Sequence, residues 1–208
     1  MSFGFENENG EVSKALELAR DHKILVFAAM ANCSMHNPAA WPANDLNLCI
    51  GIHSCTVGGH SASDSTARPA KQNPNLMVVG ENIPVHWLAS KGGGFRKGEG
   101  TSFATPVAVA MGALILTFVH QKRCASKKSS LEGSTKLDHL SHPTGMASLL
   151  KKMSDKIATH YALIKPELLW ADNRDQGKAS RDHAWNVIEG TLNPLKIFKE
   201  SLEREINT

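Results

Sequence analysis

Residues 98–116 read GEGTSFATPVAVAMGALIL, a glycine pair and two hydroxyls opening onto an apolar run with no charged residue between Thr101 and Val119. A Ser or Thr ahead of apolar periodicity caps orphan amides at a helix start. A proline in the first turn, here Pro106, removes a donor that has no partner at that position. The same helix start gathers backbone N–H groups and positive potential, which suits an oxygen that turns negative during acyl transfer. Ser102 is therefore a cap or a nucleophile, and the local chemistry by itself favours the cap. Phe103 to Val119 is shorter than the roughly 20 residues a bilayer requires, so the run reads as a buried core helix rather than a membrane span.

A buried helix of this kind needs a sheet to lie on. Upstream, Lys23 to Ala31 (KILVFAAMA) is continuously apolar, the pattern of a strand covered on both faces. Before it, Glu11 to His22 sets Val12, Ala15, Leu16 and Ala19 on one helical face, and residues 1–5 read as a strand end. Together they make a βαβ unit, with functional groups expected at the carboxyl ends of its strands. Further strands are expected at Leu46–His53 and near Leu76–Val79, with turn signals at 58–66 and a loop through Gly92, Gly93 and Gly94. Strands alternating with helices place the chain in the α/β class.

Composition shifts beyond residue 121. Residues 122–144 are rich in Lys and Ser and read as a linker whose cations form a solvated face. Residues 145–208 are expected to be helical. Met146 to Ala158 carries Leu149, Leu150, Met153 and Ile157 on one side, Arg181 to Glu189 stops at Gly190, and Asn193-Pro194 opens a last helix with Leu195, Phe198, Leu202 and Ile206 at helical spacing.

Across the chain, 41% hydrophobic and 21% charged residues describe an ordinary soluble composition. A net charge of +3 with no basic, aromatic-interleaved stripe gives no reason to expect a nucleic-acid partner, and no membrane partner is expected either. The start, MSFGFENENGE, has no basic n-region and does not read as a secretory signal. Cys33, Cys49, Cys55 and Cys124 form no CxxC pair and read as free thiols of a reducing, cytoplasmic setting. His53, Cys55 and His60 match no common zinc spacing, and no GK[ST] follows the glycine run, so neither a metal nor a cofactor is expected.

The residues also carry a resemblance. GTSFATP at 100–106, followed by a long apolar helix, resembles the nucleophile motif of the subtilisin-like serine peptidases, family S8. Val26 to Asn32 (VFAAMAN) is similar to the family strand ending in the oxyanion-hole Asn. Trp41-Pro42-Ala43 is similar to the family's aromatic-Pro-Ala segment, and Ser2-Phe3-Gly4 to the strand lining the substrate cleft. These landmarks fall in family order over about residues 1–120, and they turn the reading of Ser102 from cap to nucleophile.

The resemblance implies a serine endopeptidase. Ser102 would attack the peptide carbonyl, and Asn32 with the Ser102 amide would hold the oxyanion. Ser2, Phe3, Gly4, Ala29, Met30 and Ala31 would line a groove for an extended peptide or protein substrate. The implied fold is the C-terminal half of a doubly wound parallel sheet with helices on both faces, followed by a helical tail. It divides as a partial peptidase domain (1–121), a linker (122–144) and a helical extension (145–208). A looser similarity of Gly145-Met146 and Pro166 to Trp170 points to intracellular fungal members. No DTG or DSG follows an apolar strand, no HGTH-like segment is present, and the ten histidines sit in other contexts. A serine without its base is a poor nucleophile, so the chain alone is expected to be inactive unless a missing N-terminal half, or another chain, completes the sheet. The alternative implied is a non-catalytic peptide-binding module.

Overall fold

In the computed structural model, which describes residues 1–31, 39–60, 74–125, 138–157, 160–170 and 178–192, Met1 lies alongside the strand that ends the first βαβ unit. Its amino group donates to the Phe27 carbonyl, and its carbonyl accepts the Ala29 amide at 2.9 Å. Asn9 caps helix α1 (Gly10–Asp21), its side-chain oxygen taking the Glu11 and Val12 amides at 3.1 Å each. Strand β1 (Phe27–Ala29) pairs in parallel with β2 (Ile50–Cys55), and β2 with β3 (Leu76–Val79). A short antiparallel hairpin of β4 (Ile83–His86) and β5 (Phe95–Gly98) stands apart from this sheet and feeds helix α2 (Thr101–Ala125). Helix α3 (Pro143–Lys152) follows, then strands β6 (Ser154–Ile157) and β7 (Tyr161–Ile164), and finally helix α4 (Lys178–Thr191). Strand β7 joins β3 in parallel and β6 runs antiparallel on its outer edge, so the sheet order is β1-β2-β3-β7-β6.

The two sheet faces are filled differently. Phe27, Ile50, Ile52, Leu76 and Val78 meet Ala104, Ala108, Ile115 and Phe118 of α2 and Met146, Leu149 and Leu150 of α3. The other face carries Ala28, Met30 and Cys49, joined through Met1 and Val26 to Leu16, Trp41 and Leu48 beside α1. Every residue of β1 and β2 is buried, which is why β1 lies in an unbroken apolar run of the sequence. The expected α/β architecture, a parallel sheet flanked by helices, is the one observed.

Several boundaries differ, each for a local reason. The strand expected at Leu46–His53 begins at Ile50. Residues before it are held in turns by Asp45, whose side chain takes the Asn47 amide at 2.9 Å and whose carbonyl takes the Cys49 amide at 3.0 Å. The helix expected over Met146–Ala158 starts at Pro143 and ends at Lys152, and residues 154–157 turn back as β6 against β7. The stripe Leu149, Leu150, Met153 is buried as its spacing requires, but the chain leaves the helix before Ile157. Helix α4 runs from Lys178 through Gly190 to Thr191 rather than stopping before the glycine. The helix expected from Asn193 lies outside the described residues.

Helix α2 is long and apolar enough to cross a membrane by length and composition. One face lies on the sheet through Ala104, Ala108, Ile115 and Phe118. Its opposite face, Pro106, Val109, Ala110, Ala113 and Leu114, is exposed.

Candidate active site

The site is assembled where three backbone segments converge on the first turn of α2. Gly100, at φ +109°, turns the chain out of β5, donates its amide to Gly80 at 2.8 Å, and offers its carbonyl to the amides of Phe103 and Ala104. A Cβ at Gly80 would sit 2.7 Å from the Gly100 carbonyl oxygen, so a side chain there would displace the turn. The helix begins at Thr101, which makes Ser102 its second residue and not its cap. The expected first-turn place for Pro106 is corrected accordingly: it is the sixth residue, within the helix.

That shift has a chemical result. Pro106 has no N–H to give to the carbonyl four residues back, which is that of Ser102. The Ser102 carbonyl instead accepts the Ser2 hydroxyl at 3.3 Å, and the Ser102 hydroxyl donates to the Ser2 carbonyl at 3.2 Å. This reciprocal clasp ties residues 100 positions apart. The amide N–H of Ser102 makes no hydrogen bond among the described residues, as expected for an orphan donor in a first helical turn.

Of the groove candidates, Ser2, Phe3 and Gly4 are exposed and continuous with the clasp. The backbone groups of Phe3 and Gly4 make no hydrogen bond among the described residues, leaving donors and acceptors for an extended chain. Phe5 then bridges Trp41 in antiparallel fashion, and a Cβ on Gly4 would stand 2.7 Å from the Ala40 Cβ, so this segment lies directly against residues 40–41. Ala29 is buried and its amide is taken by Met1; Met30 is fully buried among Ala28, Ala43 and Cys49. The Met30 amide bonds Ile52 at 3.1 Å and its carbonyl bonds Ala40 at 3.2 Å, so neither its side chain nor its backbone is left for a ligand. Ala31, half-buried at φ +90°, lies two residues past the end of β1. Asn32 lies outside the described residues.

No histidine ring is hydrogen-bonded to Ser102 among the described residues. His53 is fully buried in β2, where its Nε2 faces Asn75 Oδ1 at 3.3 Å and its ring meets the edge of Tyr161 at 5.1 Å. Burial pushes its pKa down to about 4, against a smaller upward pull from Asn75. The thiols of Cys49 and Cys55, both free, are pushed up by burial to about 12 and about 11. These are core groups. The Ser2–Ser102 clasp was not legible in the sequence, since no local pattern links two serines so far apart.

A parallel α/β sheet with a long apolar helix that carries a serine in its first turn, beside an exposed N-terminal segment, is the framework of the subtilisin-like fold. The subtilase family model matches residues 1–145, and the chain belongs to that family. The chain is 38% identical to the subtilisin-like protease het-Q2 of Podospora anserina over 204 residues, 92% of this chain and 56% of that protein. It thus spans little more than half of that relative's length. Among solved structures, the patellamide maturation protease PatA aligns at TM-score 0.57 and 20% identity over 91% of this chain and 60% of its own. The prenylagaramide maturation protease PagA aligns at TM-score 0.57 and 20% identity over 93% and 59%. Similarity at that identity speaks for the fold.

Proposed function

We propose that this chain is the nucleophile-bearing part of a subtilisin-like serine endopeptidase, with Ser102 as the group that forms the acyl-enzyme. The observation that carries the proposal is the Ser102 amide at the start of α2, without a hydrogen-bond partner among the described residues, with the hydroxyl on the same residue. Attack on a carbonyl carbon puts negative charge on the carbonyl oxygen, and that amide, with the Asn32 side chain, is the donor pair for it. The substrate runs extended along Ser2, Phe3 and Gly4, pairing with the backbone groups of Phe3 and Gly4, which are unbonded among the described residues. Ala29 and Ala31 flank the same groove, to which Met30 contributes only its place in the strand. The hydroxyl now donates to a carbonyl, which cannot take its proton, so acylation needs a base and its orienting carboxylate, and no described histidine is bonded to Ser102. The free thiols Cys49, Cys55 and Cys124 support a cytoplasmic setting.

A second reading, a peptide-binding module without catalysis, is favoured by the clasp itself, because the groove is formed while the hydroxyl is engaged with Ser2. Cleavage of an unfolded protein substrate separates the two. The chain is mixed with the part of the Podospora relative that it leaves unmatched, and cleavage is compared with that of Ser102→Ala. Cleavage that depends on Ser102 supports the peptidase. Peptide binding with no cleavage, in a complex shown to form by gel filtration, supports the binding module and removes the first reading.

A further inference from the structure

The hairpin β4–β5 presents side chains that the proposed function leaves without a role. It forms its own two-stranded sheet, and no other described element packs extensively against it. Its base is fixed: a Cβ on Gly98 would enter the ring of Phe103, so the last residue of β5 rests on the first turn of α2. Its far end is open. Every residue from His86 to Gly92 is exposed, including Trp87 at 40% and Leu88 at 68%, and Phe95 across the turn is exposed at 68%. The turn between them is held by Gly92, Gly93 and Gly94, all at positive φ, and by the Trp87 amide bonding the Gly94 carbonyl at 2.8 Å.

Three cations share this end. The Arg96 guanidinium lies 4.8 Å from the Trp87 ring centre and donates to the Lys91 carbonyl at 3.2 Å, with Lys91 and Lys97 exposed beside it. No acidic residue occurs from Asn82 to Gly98. This end presents one Trp, one Leu and one Phe with three cations and no acid. Its composition matches the boundary of an anionic bilayer, where aromatic rings settle at headgroup depth and cations meet the lipid charge.

We propose that the tip of β4–β5, centred on Trp87, Leu88 and Phe95 with Lys91, Arg96 and Lys97, docks this protein on anionic phospholipid surfaces without spanning them. The contact is independent of Ser102 chemistry.

The test is co-sedimentation of the purified full chain with vesicles of phosphatidylcholine alone or mixed with phosphatidylserine. Binding is expected on the phosphatidylserine vesicles, weakening with added salt and falling off on phosphatidylcholine. Lys91→Gln/Arg96→Gln/Lys97→Gln is expected to weaken binding about a hundredfold. Trp87→Ser/Leu88→Ser/Phe95→Ser is expected to weaken it roughly tenfold or more. Both variants alter exposed side chains, and an unchanged thermal transition shows that they fold. Val109→Ser/Leu114→Ser, on the exposed face of α2, is the control and should bind as the parent does. The proposal is overturned by no binding to phosphatidylserine vesicles, by equal binding to both vesicle types, or by tip variants that bind like the parent. Loss of binding in the α2 control, with the tip variants intact, overturns it too. Capture of soluble polyglutamate without vesicle binding would assign the cations to an acidic protein partner instead.

Discussion

Pro106 decides what the Ser102 carbonyl does, and so how Ser2 is held. With no amide at position 106 the helix leaves one carbonyl vacant, and the Ser2 hydroxyl fills it. The sequence shows a proline beside a hydroxyl motif, but only the helix start at Thr101 gives that proline its effect. His53 was legible as a histidine in an apolar strand and nothing more; its packing on Asn75 and Tyr161 is tertiary. Its titration has a definite sign. Unfolded histidine takes its proton near pH 6.5, whereas the buried ring stays neutral to about 4. Between those values the unfolded chain binds more protons, so stability falls as pH drops through the window, by about 3 kcal/mol in all. Urea unfolding at neutral pH and near the lower limit should show this loss, and His53→Gln should flatten it. An unchanged pH slope in that variant would show that His53 does not titrate as a buried group.

Elements marked by an apolar run or a one-sided apolar stripe were the readable ones. Strand β1 announces itself because all three of its residues are core, and α1 because Val12, Ala15, Leu16 and Ala19 share one helical face. The two hairpins were missed because their strands are four residues long and, in β4, half their side chains face solvent. A period-two pattern over four residues cannot be told from a loop. The GTSFATP motif located the start of α2, yet the turn that aims it depends on Gly100 lying at φ +109° against Gly80. Gly100→Ala is expected to cost about 1–3 kcal/mol through backbone strain and to lower whatever activity Ser102 has. Denaturant unfolding checks the first, and wild-type stability in this variant would show that the turn relaxes without glycine.

At the scale of the molecule, residues from Leu140 onward complete the core, and the expected linker 122–144 is trimmed at both ends, since α2 runs to Ala125 and α3 opens at Pro143. Leu140, Met146, Leu149, Leu150 and Leu169 are fully buried in the cluster that holds Phe27, Ile50 and Ile52, and β7 extends the same sheet. The sequence offered this region as a helical extension because its stripes were visible and its pairing partner β3, more than 80 residues away, was not. A chain ending at residue 125 is therefore expected to be insoluble or to lack a cooperative thermal transition, and one ending at residue 192 to keep it. A soluble, cooperatively folding 1–125 would show that the C-terminal region is dispensable to the core. The active-site proposal rests on Ser102 accepting an acyl-like group beside donors at its own amide and at Asn32. It is decided by mass-spectrometric mapping of fluorophosphonate labelling, with the chain joined to the part of its Podospora relative that it leaves unmatched. The label should fall on Ser102, vanish in Ser102→Ala, and form about a hundredfold more slowly in Asn32→Leu, the order of loss for one oxyanion donor. Labelling that persists in Ser102→Ala, or that Asn32→Leu leaves unchanged, would contradict it.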